Sequence, residues 1–401
     1  MTQSRKKLIV FQWAPGSHFG WGVYGLNLML HWAHDPDLVP ISSAYYRDQD
    51  IVLEPSIRRD IAPLLEASEA FQRTLASSAG KPVSCSAPVL HALNERLNGY
   101  LSVRRTRLRG AANIGILFNI DSTIDDEVRA KARLYDLLVA GSSWNGQWLA
   151  SFGERLPVIT LLQGVDPELF HPGPRSPRFA GRFTVFSGGK VEYRKGQDRT
   201  LRAFRAFQSR HAEALLVTAW HSPWPEVVKG IERNGDITAV PFRPDGQPDF
   251  AAWAAANGVP PSSFLDLGPV PNRIMPAILR DMDAAIFSNR CEGGTNLVAM
   301  EAMACGVPTI LSANTGHLDL MGDGISLPLR RQRPIPRFTN CGTEGWGESD
   351  TEEMVEALEF LWQNRAAAQE MGDKGAAFMK GLSWAGQLAK LKAMILPMIG
   401  A

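Results

Sequence analysis

Short apolar runs alternate with longer stretches of helical periodicity throughout the 401-residue chain. In the first half the runs that read as strands are KKLIVFQ, APVLHAL, NIGILFN, DLLVAGS and LPVITLL. In the second half they are RFTVFSGG, ALLVTAW, AAIFSN and PTILSA. Apolar runs of this length separated by helical patterns suit a parallel sheet covered on both faces, so the pattern predicts an α/β protein. No fixed-period repeat or low-complexity tract interrupts it. Between the halves lies QGVDPELFHPGPRSPRFAGR, rich in Pro, Gly and Arg, which reads as a surface crossing from one domain to the next, with the boundary near residues 164 to 180.

Bulk properties narrow the picture. The chain is longer than one core usually holds, and its 45% hydrophobic content can fill two. Forty-two basic against forty-one acidic residues leave a net charge of +1, so no long-range field favours nucleic acid as a partner and any anion must be caught locally. Cys85, Cys291, Cys305 and Cys341 form neither a disulfide framework nor a CxxC zinc pattern, and a reducing cytoplasm fits them. The opening MTQSRKKLIVFQWAPG has a basic start, but its apolar run is too short for a signal peptide and reads as the first buried strand. No stretch approaches the roughly 18 to 20 apolar residues of a membrane-spanning helix, so at most a peripheral membrane contact is expected.

Two segments carry candidate chemistry. In CEGGTNLVAMEAMACGVPTI, a strand feeds a loop from Asn289 to Gly294, and Thr295 to Cys305 read as a helix stopped by Gly306 and Pro308. A Gly-rich turn entering a helix presents unpaired backbone N–H groups at the positive end of the dipole, which suits a phosphate. Gly293 and Gly294 allow close approach, Glu301 can accept hydrogen bonds from vicinal hydroxyls, and Glu292 is free to reach another part of the same ligand. Such turns also occur simply to pack helix on sheet. The second segment, FTVFSGGKVEYRKGQDRTLRAF, supplies context: a strand ending at Ser187, a turn at Gly188 and Gly189, then Lys190 and Lys195 before a helix beginning near Gln197. Two cations beside a glycine turn can clamp a diphosphate and stabilise the charge that grows as it leaves.

These segments, in this order, resemble those of the retaining glycosyltransferases of family 4, which have the GT-B architecture of two Rossmann-like domains with parallel sheets facing across a cleft. QGVDPELFHP resembles the family's linker, SGGKVEYRKGQD its Gly-Arg…Lys-Gly segment, and EGGTNLVAMEAMACGVPTI its Glu-x7-Glu segment. GSHFGWGVYGLNL and YDLLVAGSSWN carry weaker similarity. The resemblance implies an acceptor-side domain of residues 1–164, a nucleotide-sugar donor domain of 165–381, and a C-terminal segment of about 382–401 that packs back on the first domain. It implies that Lys190, in place of the usual Arg, and Lys195 bind the donor diphosphate, with Gly189, Gly293, Gly294, Thr295, Asn296 and Leu297 along the donor and Glu301 on the ribose. Counting back eight from Glu301 reaches Gly293, whereas Glu292 is nine back. Either Glu292 reaches the transferred sugar through a longer turn, the reading adopted here, or the amides of Gly293 to Asn296 take over that work.

In the first half, APGSHFGWGVYG follows the first strand, and its glycines, including Gly20 and Gly22, let a loop lie against donor phosphates and sugar. His18, Trp21 and Trp13 lie in or beside it, where an indole either stacks on a sugar ring or packs in the core. From the resemblance, His91 is the candidate for a histidine at the cleft end of a first-domain strand, and Asn119 and Asp121 for acceptor-side polar groups. The cluster Arg104, Arg105, Arg107 and Arg109 reads as a solvated surface, the alternative being contact with an anionic lipid or a phosphate-bearing acceptor. The expected reaction transfers sugar from a nucleoside-diphosphate sugar to a glycan, glycolipid or other hydroxyl, with retention, no metal and no cofactor. Rival readings are a GT-B epimerase or phosphorylase and a catalytically idle nucleotide-sugar binder.

Overall fold

The computed structural model describes residues 6–78, 81–99, 108–153 and 155–398. Among the described residues through 329 there are fourteen strands, in the order β1 (Lys7–Phe11), β2 (Leu38–Ser42), β3 (Val83–Ser84), β4 (Val89–Leu93), β5 (Leu108–Arg109), β6 (Asn113–Leu117), β7 (Leu137–Ala140), β8 (Val158–Thr160), β9 (Phe183–Lys190), β10 (Ala214–His221), β11 (Phe264–Asp266), β12 (Ala284–Phe287), β13 (Thr309–Ser312) and β14 (Leu327–Leu329). Two six-stranded sheets result, ordered β2-β1-β4-β6-β7-β8 and β11-β10-β9-β12-β13-β14. Their pairs are parallel throughout. The small pair β3 and β5 stands apart.

The strand order reverses between β1 and β4 in one sheet and between β9 and β12 in the other. Crevices open at such points beyond the strand ends, because successive crossovers leave in opposite directions. Central strands are apolar on both faces: Val10, Phe11, Leu90 and Ile114 are fully buried, as are Phe186, Leu216, Ile310 and Leu311. Three strands of the two large sheets were not among the runs read from the sequence, and all three are sheet edges. β2 and β14 contain Pro40 and Pro328, which an edge tolerates because one side of the ladder needs no donor, and β11 has only three residues.

Past β14 the chain forms an antiparallel hairpin of β15 (Gln332–Pro334) and β16 (Gly347–Ser349), then three helices, Thr351–Gln363, Arg365–Lys380 and Trp384–Ile395. The last returns to the first domain. Trp384 meets Tyr24 of the helix Gly20–Trp32 with ring centroids 5.1 Å apart, and Lys392 Nζ lies 2.7 Å from carboxylate oxygens of both Asp35 and Asp37. At the crossing, Val165 N donates to Leu382 O (2.9 Å) and Trp384 N donates to Val165 O (3.0 Å). No helix among the described residues is long and apolar enough to cross a membrane.

Gly164 sits at this crossing with the Trp384 backbone directly against the place a Cβ would occupy. Gly164→Ala is therefore expected to lower stability by about 1–3 kcal/mol through overpacking, read as an earlier urea midpoint. Gly20→Ala, with no atom within 4 Å of the added carbon, serves as the control and should not lower it. Equal midpoints for the two variants would refute the account of the crossing.

Candidate active site

The strand ends of the two sheets face each other. Phe19, after β1, meets His221, the last residue of β10, at 5.1 Å between ring centroids. Ser142, after β7, donates from Oγ to Gly293 O (2.8 Å), and Ser143 N donates to Asp319 Oδ2 (2.8 Å) beyond β13. Asn272 N donates to Ser17 O across the same crevice (2.7 Å).

β9 does not end at Ser187. Gly188 and Gly189 continue it to Lys190, paired with β10 up to His221, and only then does a short turn, Tyr193–Lys195, lead to the helix Gln197–Gln208. Gly196 separates turn from helix with φ 68°, and its missing side chain makes room for the carbonyl of Ser288. Lys190 Nζ lies 3.3 Å from Glu192 Oε2 and 4.8 Å from the centre of the Trp224 ring. Lys195 donates to Glu292 Oε2 in a short contact, and Arg194 Nη1 lies 3.5 Å from Glu292 Oε1. Burial alone would push the Glu292 carboxyl up; Lys195 and then Arg194 override it and hold the carboxyl down at about 2. Burial also lowers the Lys195 pKa, with Glu292 opposing. Each ion of this buried pair is the other's main solvent.

The loop carrying Glu292 is held on every side. Asn289 Nδ2 donates to Glu292 Oε2 (2.7 Å), Glu292 N donates to Thr315 Oγ1 (2.8 Å), and Gly316 N donates to Glu292 O (3.0 Å). Thr315 has φ 41°, a conformation that costs a β-branched residue about 1–3 kcal/mol and that this hydrogen bond accompanies. Beneath, Arg290 has no exposed surface. Its guanidinium donates to both oxygens of Asp198 (2.8 and 2.6 Å), to Glu348 Oε2 (2.8 and 2.6 Å) and to Tyr193 O (2.6 Å).

The helix begins at Leu297 rather than Thr295, because Asn296 takes a left-handed φ of 66° as its cap and Thr295 donates to Met300 Sδ (2.9 Å). One turn on, Glu301 is buried and accepts a short hydrogen bond from Asn272 Nδ2. With that amide as its partner, burial raises its carboxyl to about 8. Glu301, Asn272 and Ser17 line one narrow recess of the crevice.

The remaining sequence candidates divide. Gly16 N donates to Gly22 O (3.0 Å), folding the glycine loop into a tight turn over which Gly20 starts the helix. His18 lies at the crevice, close enough to His221 to be coupled to it electrostatically, as are Lys190 and Lys195. Burial, opposed by a hydrogen bond that the ring donates to the Ala219 backbone carbonyl and reinforced by its basic neighbours, lowers His221 to about 4. Trp21 is not a free platform but part of an aromatic cluster, 5.0 Å from Trp13 and edge-on to Phe118 at 4.8 Å.

Gly293 and Gly294 are small for a reason of packing as well, since the Phe118–Asn119 backbone presses on the first and the Phe118 ring on the second. His91 does not reach the cleft. It is fully buried in the middle of β4, where its Nε2 lies 3.1 Å from Asn113 Oδ1 and its ring stands edge-on to Tyr135, and burial lowers it to about 4. Asn119 and Asp121 are also buried, as anchors within and between domains: Asn119 Nδ2 donates to Asp121 O (2.6 Å), and Asp121 Oδ1 accepts from Gly342 N (2.7 Å). Arg104, Arg105 and Arg107 lie outside the described residues, and Arg109 is exposed in β5. Among the described residues no group of three or more His, Cys, Asp or Glu side chains is arranged to hold a metal ion.

Sequence reasoning passed over Arg194, His221, Asn272, Arg290 and His317. His317 is buried beside Glu292, with Nε2 3.1 Å from Asn296 Nδ2. The available signal was position: His221 ends one strand of the second sheet, Asn272 follows another, and His317 lies in the turn after β13.

Comparison with known proteins agrees with this geometry. The family model described as Family 4 Glycosyltransferase in conflict systems matches residues 143–391. No curated protein sequence matches the chain. Among solved structures it is similar to sucrose-phosphate synthase from Thermosynechococcus elongatus (13% identity, TM-score 0.64, 98% of this chain and 100% of that one). It is also similar to the UDP-forming α,α-trehalose-phosphate synthase from Burkholderia vietnamiensis (13%, 0.64, 99% and 98%) and to Anabaena HepE in complex with UDP-glucose (11%, 0.63, 97% and 99%). Likeness at such identity carries the fold, which is GT-B. Because the family match spans more than half of the chain, the protein belongs to the family 4 glycosyltransferases of conflict systems.

Proposed function

We propose that the protein transfers a sugar from a nucleoside-diphosphate donor to an acceptor hydroxyl, with retention of anomeric configuration and without a metal ion. The observation that carries this reading is the contact of Lys195 with Glu292 at the crevice, with Lys190, Arg194, His18 and His221 gathered around it. UDP is the favoured nucleotide, in keeping with HepE, solved with UDP-glucose, and with the UDP-forming trehalose-phosphate synthase. In this reading residues 165–381 carry the donor, and residues 1–164, with 382–401 packed on them, carry the acceptor side.

A diphosphate entering between Lys190 and Lys195 competes with Glu292 for the Lys195 ammonium. Once Lys195 turns to the phosphate, Glu292 is free to accept hydrogen bonds from hydroxyls of the sugar. Charge developing on the departing diphosphate is met by both lysines and the start of the helix Leu297–Ala304, the work that a divalent cation does in other transferases. The departing phosphate oxygen takes the acceptor proton on the face it leaves, so no side chain forms a covalent intermediate. Glu301 accepts the ribose hydroxyls.

Lys195→Ala is expected to lower kcat for release of UDP from a UDP-sugar at least roughly a hundredfold, as loss of a transition-state charge contact does. A turnover within a few-fold of wild type would sink the proposed clamp. A second expectation concerns pH. Glu301 is an acid raised to about 8, so the folded protein keeps a proton that the unfolded chain gives up near the ordinary carboxylate value. Stability contributed by this group is therefore full at low pH and falls as pH rises toward about 8. Ribose hydroxyls donate to the ionised form, so UDP affinity is expected to increase over the same window and to level off above it. Calorimetric titration of wild type and Glu301→Gln should give a sloping and a flat profile respectively; two parallel profiles would remove Glu301 from the nucleotide site.

A further inference from the structure

The hairpin β15–β16 leaves the donor domain and reaches the other one. Its connecting loop is bolted to the first domain by Gly342 N donating to Asp121 Oδ1 (2.7 Å), Ser122 N to Gly342 O (3.1 Å), Glu344 N to Ser122 Oγ (2.8 Å) and Trp346 Nε1 to Ile120 O (2.9 Å). Its base is fixed by Glu348 on Arg290. Between this strap, the helix Ser143–Ala150 and the turn after β13 lies a cavity of about 570 Å³. That volume falls within the range of small-molecule sites, and walls held by this many hydrogen bonds need little ordering when a ligand enters.

The lining matches one class of ligand. Trp144 of the first domain lines the cavity with the nitrogen edge of its indole packed on Gly345 of the strap, where an added Cβ would come 2.7 Å from that nitrogen. Leu318, half exposed, and Ile335 extend the apolar wall, while the exposed Glu344 supplies a carboxylate. An aromatic face with a flanking carboxylate is the chemistry that holds a pyranose, whose C–H face is apolar and whose edge carries hydroxyls. The floor connects to the catalytic loop, because Thr315, which lines the cavity, accepts the hydrogen bond from Glu292 N. Asn119 and Asp121, the first-domain groups otherwise available to an acceptor, are already committed to internal bonds and to the strap.

We infer that this cavity is the acceptor subsite and takes a pyranose ring stacked on Trp144. The inference rests on the proposed transfer reaction and adds the chemical class of its acceptor. Saturation-transfer NMR with methyl α-D-glucopyranoside and methyl β-D-glucopyranoside, and separately with UDP, tests it on the whole chain. Wild type is expected to give ring-proton transfer from at least one pyranoside. Trp144→Ala should weaken that binding roughly fivefold or more, and Trp144→Phe should restore most of it, which a loss of folding would not allow. Undiminished pyranoside binding in Trp144→Ala, or none in wild type while UDP binds, overturns the subsite and leaves the donor reading intact. Absence of UDP binding in wild type instead overturns the donor reading. Transfer from the methyl aglycone alone, with silent ring protons, identifies an apolar site and also overturns the inference.

Discussion

One buried guanidinium organises the second domain's side of the crevice. Arg290 has no exposed surface, and its charge is met by Asp198 at the start of one helix and Glu348 at the base of the strap. Burial opposes the charged form, but the two carboxylates and the face of Tyr193, 4.0 Å away, override it and raise the Arg290 pKa. Removing a group so placed leaves carboxylates buried without their cation, so its importance lies less in net stability than in what it joins. It joins three segments distant in sequence. The turn with Lys195 precedes Asp198, the loop with Glu292 follows Arg290, and the strap ends just beyond Glu348.

From that junction the contacts run outward to the other domain. The loop after β12 rests on Phe118 and Asn119 through Gly293 and Gly294, while the turn after β13 receives Ser143 through Asp319. Gly316 lies against the carbonyl of Gly294 with no room for a side chain between them. Several glycines that look like accommodations to a ligand are thus accommodations of one loop to another. Their effect on chemistry is indirect, since they set how deeply Glu292 sits and how fully Lys195 is withdrawn from water.

The fold class was legible because β1, β4, β6, β9, β10, β12 and β13 are central, apolar strands of ordinary length, whereas β2, β11 and β14 are edges whose shortness or proline hid them. Lys190, Lys195, Glu292 and Glu301 could be picked out because each lies next to a glycine turn or on the helix that follows it. The meeting of Lys195 with Glu292 could not be read, since it depends on Arg290 drawing two turns together across about a hundred residues of chain. His91 misled because a histidine within an apolar run looks alike whether it opens to a cleft or bonds to Asn113 on the next strand. Asp121 misled because its partner, Gly342, belongs to a hairpin that no apolar periodicity announces, and Asn119 because its amide is spent on the backbone of Asp121.

The strap has a mechanical consequence. The crossing of Val165 with Trp384 and the union of Ile120–Thr123 with Gly342–Trp346 are separate fastenings of the two domains, and the bonds of Ser142 to Gly293, Ser143 to Asp319 and Asn272 to Ser17 lie apart from both. A body pinned at one point swings freely, whereas each further pin removes a direction of swing. By tying down the far rim, the strap denies the crossing at Val165 the role of a lone hinge.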